Sequence, residues 1–284
     1  MSSVSGGEGI GSVVHFYETH PINEQQILHD LARDGVALEG LSEAVLQRYD
    51  QDHFGGLPAV DRLAELAGIG PGMHVLDVCS GMGGPARYLA HHRGCRVTGL
   101  DITKSRHEGA LRLTALVGLG HLVDFRLGNA LEMPFADASF DVVIGQEAFC
   151  HVPDKPQLIA ECARVVRPGG VVAFTDILRR DGLTEDSFGR LQREMTFLSL
   201  ESLEGYAALL AANACQVIVQ DDLSSWWTEI LVQRLAMYRS LKATTVAKFG
   251  ADHFQRWDDT YAFFVGRFAR GELGGGRLVA RRSV

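Results

Sequence analysis

The feature that most constrains the fold is a regular alternation of short apolar runs with helical segments that begins at residue 74. Strands separated by helices at this spacing pair in parallel, because right-handed crossovers return the chain to the same end of a sheet. The sequence therefore predicts an α/β fold with a doubly wound, mostly parallel sheet. Strands are predicted at 74–78, 96–100, 123–127, 141–146 and 171–176, and helices near Pro85, Ser105, Asp154 and Leu203.

Composition shifts divide the rest of the chain. The C-terminal segment adds a strand at 216–220 and a last edge strand at 277–281, for seven strands, and it contains two helices rich in aromatic residues. Those aromatic stripes predict either core packing, a homodimer face or a wall of a ligand pocket. The predicted segments are a disordered leader (1–12), a helical N-terminal arm (13–56), the main core (57–177), a helical lid insertion (178–202) and the end of the core (203–284).

Charge and composition narrow the class of partner. The chain carries 27 Lys and Arg against 35 Asp and Glu, a net charge of −8. Binding to nucleic acid or anionic membranes needs clustered positive charge, so neither partner is predicted and a small molecule is favoured. No apolar run is long enough to span a membrane, and five scattered cysteines indicate reduced thiols, which predicts a cytoplasmic protein. No His or Cys spacing indicates a metal site.

A Gly-rich loop follows the first predicted strand and precedes a helix. It reads Asp77-Val78-Cys79-Ser80-Gly81-Met82-Gly83-Gly84. Small residues at 79, 81 and 83 let the backbone approach a ligand closely, and the N-terminus of the helix directs free N–H groups to the same place. Asp77 would repel a phosphate but suits a cationic group.

The next two strand ends extend the pattern. Asp101 lies at the tip of the second strand, 20 residues after Gly81, where an acid accepts hydrogen bonds from ribose hydroxyls. Asn129 and Ala130 follow the third strand, where a short polar side chain could pair with an adenine amino group. Three helix caps are the alternative interpretation, but together the three strand ends predict a nucleoside site.

These motifs resemble those of the class I S-adenosylmethionine-dependent methyltransferases. The resemblance continues through the segments 139–143, 146–154 and 163–170, and covers roughly residues 57 to 220. Within that family the chain is similar to sarcosine/dimethylglycine N-methyltransferases and related small-molecule enzymes. It departs from the family pattern at Cys79, where Gly is usual, and at Asn129, where Asp is usual.

The resemblance implies a Rossmann-like fold with S-adenosylmethionine as the cofactor. It also implies a transfer of a methyl group to nitrogen or oxygen of a small-molecule acceptor, with nitrogen favoured. The alternatives are a non-catalytic nucleoside-binding or regulatory protein of the same fold, or a nicotinamide-dependent oxidoreductase. The predicted cofactor-binding residues are Asp77, Cys79, Ser80, Gly81, Gly83, Asp101, Ile102, Asn129, Ala130, Gln146 and Tyr49.

The acceptor side is predicted around the fourth and fifth strands. His151 is the candidate base for an acceptor that must lose a proton, with helix capping as the alternative. Glu147 and Asp176 are candidate carboxylates for orienting the acceptor, with helix-cap or ion-pair roles as alternatives. In the arm, an aromatic and polar set is expected to close over the cofactor: Tyr17, His20, Tyr49 and His53.

Overall fold

A seven-stranded sheet forms the centre of the protein. The structure is a computed structural model that describes residues 6–18 and 23–284. The strands are β1 His74–Val78, β2 Arg96–Asp101, β3 Val123–Leu127, β4 Phe140–Gln146, β5 Val166–Arg179, β6 Cys215–Asp222 and β7 Leu273–Arg282.

The strand order is β3-β2-β1-β4-β5-β7-β6. The first five strands pair in parallel, and β7 is antiparallel to both of its neighbours. The chain leaves β1 toward β2 and β3, then returns to place β4 on the other side of β1. This reversal opens a crevice at the carboxyl ends of β1 and β4, which is where ligands bind in open α/β sheets. The predicted doubly wound, mostly parallel sheet is confirmed.

Helices cover both faces of the sheet. Side chains alternate along the strands, so Val75 packs on one face and Leu76 on the other, and both are fully buried. One face is covered by α4 Gly56–Ala67, α5 Gly84–Arg93 and α6 Lys104–Leu116, and the other by α7 Lys155–Val165 and α9 Leu203–Ala212.

The last strand differs from its prediction. The sequence predicts an edge strand at 277–281, whereas β7 begins at Leu273 and lies between β5 and β6, so β6 forms the edge. The glycines before 277 belong to the strand. A Cβ on Gly275 would overlap the indole of the buried Trp227. Glycine at this position therefore allows the helix that carries Trp227 to pack directly on β7.

The N-terminal arm contains three helices, α1 Gly6–Glu18, α2 Glu24–Arg33 and α3 Glu43–Leu46. The predicted disordered leader 1–12 is therefore wrong from Gly6 onward, while residues 1–5 and His20 lie outside the described residues. Glycine lowers helix propensity, but packing overrides it here, because Val13 is buried and α1 contacts α6.

The C-terminal helices form a layer beyond the sheet ends. They are α8 Glu185–Met195, α10 Ser224–Ser240, α11 Lys242–Phe249 and α12 Ala251–Ala269. α8 lies in the predicted lid segment 178–202, although β5 continues through Arg179 and so includes the first two residues of that segment. Trp227, Phe264 and Phe268 from this layer share a hydrophobic cluster with Ile177 of β5. Across the described parts of the chain, no helix combines the length and apolar character needed to cross a membrane.

Candidate active site

A cavity of about 750 Å³ lies over the carboxyl ends of β1 to β4. This volume falls within the range of about 300–1,000 Å³ that is usual for small-molecule sites. The strand ends form its floor, and residues of α1, the segment before α4, the segment after α8, α10 and α12 form its walls. The arm and the C-terminal helices therefore enclose the space that the sheet alone would leave open.

The Gly-rich loop forms one wall of the cavity. Cys79, Ser80 and Gly81 line it as predicted, and the backbone of Cys79 and of Gly81 adopts a left-handed conformation with φ of 61° and 53°. Gly83, with φ of 76°, does not line the cavity. A Cβ there would lie 2.5 Å from the ring of Phe125, so Gly83 serves the turn rather than direct ligand contact.

Cys79 departs from the family pattern at a position where backbone geometry favours glycine. A non-glycine residue in the left-handed region costs about 1–2 kcal/mol, because its Cβ crowds the backbone. Burial raises the pKa of the Cys79 thiol well above its ordinary value, so the thiol is protonated at neutral pH. Cys79 therefore acts as a strained, partly apolar element of the cavity wall.

Asp101 holds the loop in place in addition to its predicted ribose role. Its Oδ2 accepts a hydrogen bond from the Gly81 N–H at 2.9 Å, and its Oδ1 accepts one from the Thr103 N–H at 2.8 Å. Burial raises the pKa of Asp101, although these two bonds oppose the shift. Asp101 and the adjacent Ile102 both line the cavity. Contact with ribose stays a prediction, whereas the bond to the loop is a contact that the sequence analysis missed.

Asn129 and Ala130 line the cavity at the end of β3. The Asn129 Oδ1 accepts a hydrogen bond from the Leu131 N–H at 3.0 Å. The side-chain amide therefore stabilises the local turn as well as lining the cavity. Tyr49 also lines the cavity, and its hydroxyl donates to Asp34 at 3.0 Å. Contacts of Asn129, Ala130 and Tyr49 with a cofactor stay predictions.

Among the residues that the structure describes, several polar side chains of the cavity wall carry a buried atom with no hydrogen-bond partner. They are Asp77 (Oδ2), Ser80 (Oγ), Gln146 (Oε1 and Nε2) and His53 (Nδ1). Buried polar groups in proteins almost always have partners, so a group of unpartnered ones around one space indicates a polar ligand. Burial, together with the nearby Asp101 carboxylate, raises the pKa of Asp77 to about 7. A cationic ligand would reverse that shift by stabilising the Asp77 carboxylate.

On another side of the cavity, Tyr17 and His151 form a hydrogen-bonded pair. The Tyr17 hydroxyl lies 2.8 Å from the His151 Nε2, and the His151 Nδ1 lies 2.9 Å from the backbone oxygen of Thr196. Because a carbonyl can only accept, Nδ1 carries the proton and Nε2 accepts from the Tyr17 hydroxyl. Burial raises the pKa of Tyr17 far above its ordinary value.

Thr196 is a residue that the sequence analysis missed. It is buried, and its backbone adopts a left-handed conformation with φ of 54°, which is strained for a β-branched residue. The Thr196 hydroxyl also lies 3.2 Å from the His151 Nδ1. Strained residues of this kind concentrate at functional sites, and here the conformation presents two groups to His151.

Glu147 lines the cavity, but both of its carboxyl oxygens are bonded within the protein. The Phe54 N–H donates to Oε2 at 2.5 Å, and the Thr175 hydroxyl donates to Oε1 at 2.8 Å. Burial raises the pKa of Glu147 to about 8 despite these bonds. Glu147 therefore anchors the segment that carries His53 and Phe54, and its contact with an acceptor stays a prediction.

Asp176 does not line the cavity. Its side chain is fully buried, with Oδ2 accepting from the Tyr206 hydroxyl at 2.6 Å and Oδ1 accepting from the Cys150 N–H at 3.0 Å. The prediction of an acceptor-side role is corrected on this ground, because the carboxylate lies behind the cavity wall and joins β5 to α9 and to the turn after β4.

Two arginines on the cavity wall also escaped the sequence analysis. The Arg106 guanidinium lies 4.4 Å from the centre of the Tyr17 ring, and the Arg234 Nη2 donates to the His53 backbone oxygen at 2.9 Å. Arg106 lies in the helix that follows Asp101, and Arg234 lies one turn before Tyr238 on an aromatic helix. Those positions were the available signals in the sequence.

The sequence is similar to those of known methyltransferases. Residues 76–174 match the family model of a methyltransferase domain. The chain is 34% identical over 220 residues to the methyltransferase GfsG of Streptomyces halstedii, covering 67% of this chain and 79% of that relative. The chain belongs to the S-adenosylmethionine-dependent methyltransferases. The resemblance read from the Gly-rich loop is thereby confirmed.

Further similarities lie among N-methyltransferases. This methyltransferase is 34% identical over 167 residues to the glycine/sarcosine/dimethylglycine N-methyltransferase of Actinopolyspora halophila, which covers 59% of this chain but only 30% of that relative. In fold it is similar to phosphoethanolamine N-methyltransferase 2 of Haemonchus contortus, solved with S-adenosyl-L-methionine, with a TM-score of 0.77 and 20% identity. That comparison covers 95% of this chain and 60% of the other.

The cavity of this methyltransferase fits S-adenosylmethionine. The unpartnered atoms of Asp77, Ser80 and Gln146 offer hydrogen bonds to a polar and positively charged amino-acid group. Asp101 and Asn129 lie at the two neighbouring strand ends, as a nucleoside needs. The cavity therefore has polar groups of the kinds that both halves of the cofactor need, and the individual contacts stay predictions.

Proposed function

We propose that the protein transfers a methyl group from S-adenosylmethionine to nitrogen or oxygen of a small-molecule acceptor. The observation that carries this proposal is that one cavity combines unpartnered polar atoms at the Gly-rich loop with the Tyr17–His151 pair on another wall. When bound, the cofactor supplies a methyl group on a positively charged sulfur. Membership of the methyltransferase family supports this reading over that of a nicotinamide-dependent oxidoreductase.

Binding of the cofactor is assigned to the strand ends. Asp101 would accept hydrogen bonds from ribose, and Asn129 would contact the adenine. Asp77 and Gln146 would bind the amino-acid end, where a positive charge is favoured by the carboxylate. These roles are supported by the lining of the cavity and by the unpartnered atoms.

Enclosure is the second contribution of the protein. Val13 and Phe16 of α1 and Trp257 and Phe264 of α12 line the cavity and place apolar surface around it. Holding two reactants in attack geometry can supply about 7–11 kcal/mol of the barrier reduction without acid–base chemistry. The walls built by the arm and the C-terminal helices support a mechanism based mainly on alignment and exclusion of water.

The Tyr17–His151 pair is assigned to proton removal when the acceptor carries a proton that must leave. The acceptor proton would pass to the Tyr17 hydroxyl oxygen while the hydroxyl proton passes to the His151 Nε2. Tyr17 is then left neutral and His151 becomes an imidazolium, whose Nδ1–H stays bonded to the Thr196 oxygen. This route places the proton on histidine rather than leaving a buried tyrosinate, whose formation burial disfavours.

A nitrogen acceptor is favoured. Trp257 and Tyr261 contribute aromatic rings to the cavity wall, and such rings attract cationic amines through their π-faces. Some relatives are named for amine acceptors, among them sarcosine, dimethylglycine and phosphoethanolamine. For this chain those compounds are test substrates, and their acceptance is part of the proposal.

The proposal is tested by measuring release of S-adenosylhomocysteine from S-adenosylmethionine with a panel of amines, amino acids, phenols and thiols. Release that depends on one acceptor class is expected, with amines most active. Calorimetry with S-adenosylhomocysteine and with NAD runs in parallel. Binding of NAD alone would support the oxidoreductase, and tight binding of S-adenosylhomocysteine without turnover of any acceptor would support the non-catalytic alternative.

A cytoplasmic location is also proposed. All five cysteines are free in the structure, and free thiols are typical of reducing compartments. Fractionation of cells that express the tagged protein tests this location.

A further inference from the structure

His53 is a buried histidine on the cavity wall. Only 8% of its surface is exposed, it lines the cavity, and its Nδ1 has no hydrogen-bond partner within residues 6–18 and 23–284. Its other ring nitrogen, Nε2, lies 2.8 Å from the Gln51 Oε1. One nitrogen is therefore held by the protein while the other is left for a ligand.

A chain of contacts determines which nitrogen carries the proton. Arg87 is fully buried and forms an ion pair with Asp50 at 2.8 Å, so the Asp50 carboxylate can only accept hydrogen bonds. The Gln51 Nε2 donates to the Asp50 Oδ1 at 2.8 Å, which turns the Gln51 oxygen toward His53. The His53 Nε2 must then donate, and the Nδ1 presents a lone pair.

Burial supports the same state of the ring. It lowers the pKa of His53 from its ordinary value of 6.5 to about 4, so the imidazole is neutral at physiological pH. A neutral ring in this tautomer can accept at Nδ1 but cannot donate there. The missing partner must therefore be a hydrogen-bond donor.

Position identifies the donor. Gln51 approaches the start of α5 beside the Gly-rich loop, since a Cβ on Gly84 would lie 2.9 Å from the Gln51 Nε2. On its other side, the His53 segment is anchored to Glu147 after β4 through the Phe54 N–H. The nucleoside end of the cavity lies instead at β2 and β3. His53 therefore lies at the amino-acid end of the cofactor, where the ligand donor is a cationic ammonium group.

We propose that the His53 Nδ1 accepts a hydrogen bond from the α-ammonium group of S-adenosylmethionine, and that Gln51 and Asp50 position the ring for this contact. The proposal rests on the proposed function, because it takes the cofactor assigned there. It adds a binding residue from the arm to those from the strand ends.

The test compares two ligands on matched variants by titration calorimetry. The ligands are S-adenosylhomocysteine and its analogue in which hydrogen replaces the α-amino group. His53→Phe keeps an aromatic ring and removes the acceptor, so we expect it to weaken S-adenosylhomocysteine binding about tenfold or more, and to change binding of the deaminated analogue less than twofold. His53→Asn, which keeps a polar atom near the Nδ1 position, should recover part of the loss. His121→Phe, at the exposed opposite end of the sheet, should bind both ligands like the wild type.

Measurements on the wild-type protein cover the case in which a variant fails to fold. Nitrogen NMR of labelled histidine should show the Nε2–H tautomer for His53 in the free protein. The Nδ1 resonance should shift with S-adenosylhomocysteine and not with the deaminated analogue. Equal losses with both ligands, or an Nδ1–H tautomer, would overturn the assignment of His53 while leaving the methyltransferase proposal intact. If the wild type binds neither ligand, both proposals fail.

Discussion

Replacing Asp101 with alanine is expected to weaken both cofactor binding and the folded state. The carboxylate accepts hydrogen bonds from two backbone N–H groups, those of Gly81 and Thr103, at 2.9 Å and 2.8 Å. Leaving two such donors without partners costs roughly 1–2 kcal/mol each, so the free energy of unfolding should fall by about 2–4 kcal/mol. Loss of the bonds to ribose should raise the Kd for S-adenosylhomocysteine by more than about tenfold.

A second variant separates the two effects. Asp101→Asn keeps the shape of the side chain but turns an amide nitrogen toward one of the two backbone donors. It should lie between the wild type and Asp101→Ala in both stability and affinity. Asp181→Ala, in an exposed turn, removes a carboxylate of equal charge far from the loop and serves as the control.

Urea denaturation measures the stability, and titration calorimetry measures the affinity. A variant Asp101→Ala that is destabilised but binds S-adenosylhomocysteine at full affinity would refute the ribose role and leave only the loop role. Unchanged stability would refute the hydrogen-bond interpretation of the loop.

Three further predictions concern other residues of the cavity. Cys79→Gly should be more stable than Cys79→Ala by about 0.5–1 kcal/mol in urea denaturation, because glycine relieves the strain of the left-handed backbone at some cost in chain entropy. Equal stability of the two variants would show that the backbone at residue 79 is not strained. His151→Ala and Tyr17→Phe should each lower turnover of a secondary-amine acceptor by roughly 10²–10⁴-fold, and much less for a tertiary amine, which has no proton to lose. In steady-state assays the double variant should be no slower than the worse single variant, and additive losses would argue against a shared proton route. As the pH falls from 6.5 to 4, the free energy of unfolding of the wild type should fall by up to roughly 3 kcal/mol more than that of His53→Phe. The reason is that the histidine of the unfolded chain binds a proton in this range while the buried ring does not. Chemical denaturation at several pH values measures this difference, and parallel pH profiles of the two proteins would contradict the prediction.

Features that depend on neighbouring residues could be predicted from the sequence. The alternation of strands and helices follows from apolar periodicity, and the Gly-rich loop combines a strand, small residues and a helix start within eight positions. Asp101 could be placed because the parallel pairing of β1 and β2 brings both strand ends together whatever the rest of the chain does. From these features one could predict the parallel sheet, the methyltransferase family and most of the residues that line the cavity at the strand ends.

Contacts between distant segments could be decided only by the tertiary structure. Tyr17 and His151 are 134 positions apart, and nothing local to either residue indicates the hydrogen bond between them. Asp176 lies at the predicted end of the fifth strand, a position that suits a functional site. Its hydrogen bond with Tyr206 nevertheless holds the carboxylate behind the cavity wall. β7 lies between β5 and β6, and Gly275 of this strand leaves room for Trp227, which lies on a separate helix. Local periodicity determines which elements form, whereas the packing of whole elements against one another determines which side chains reach the cavity.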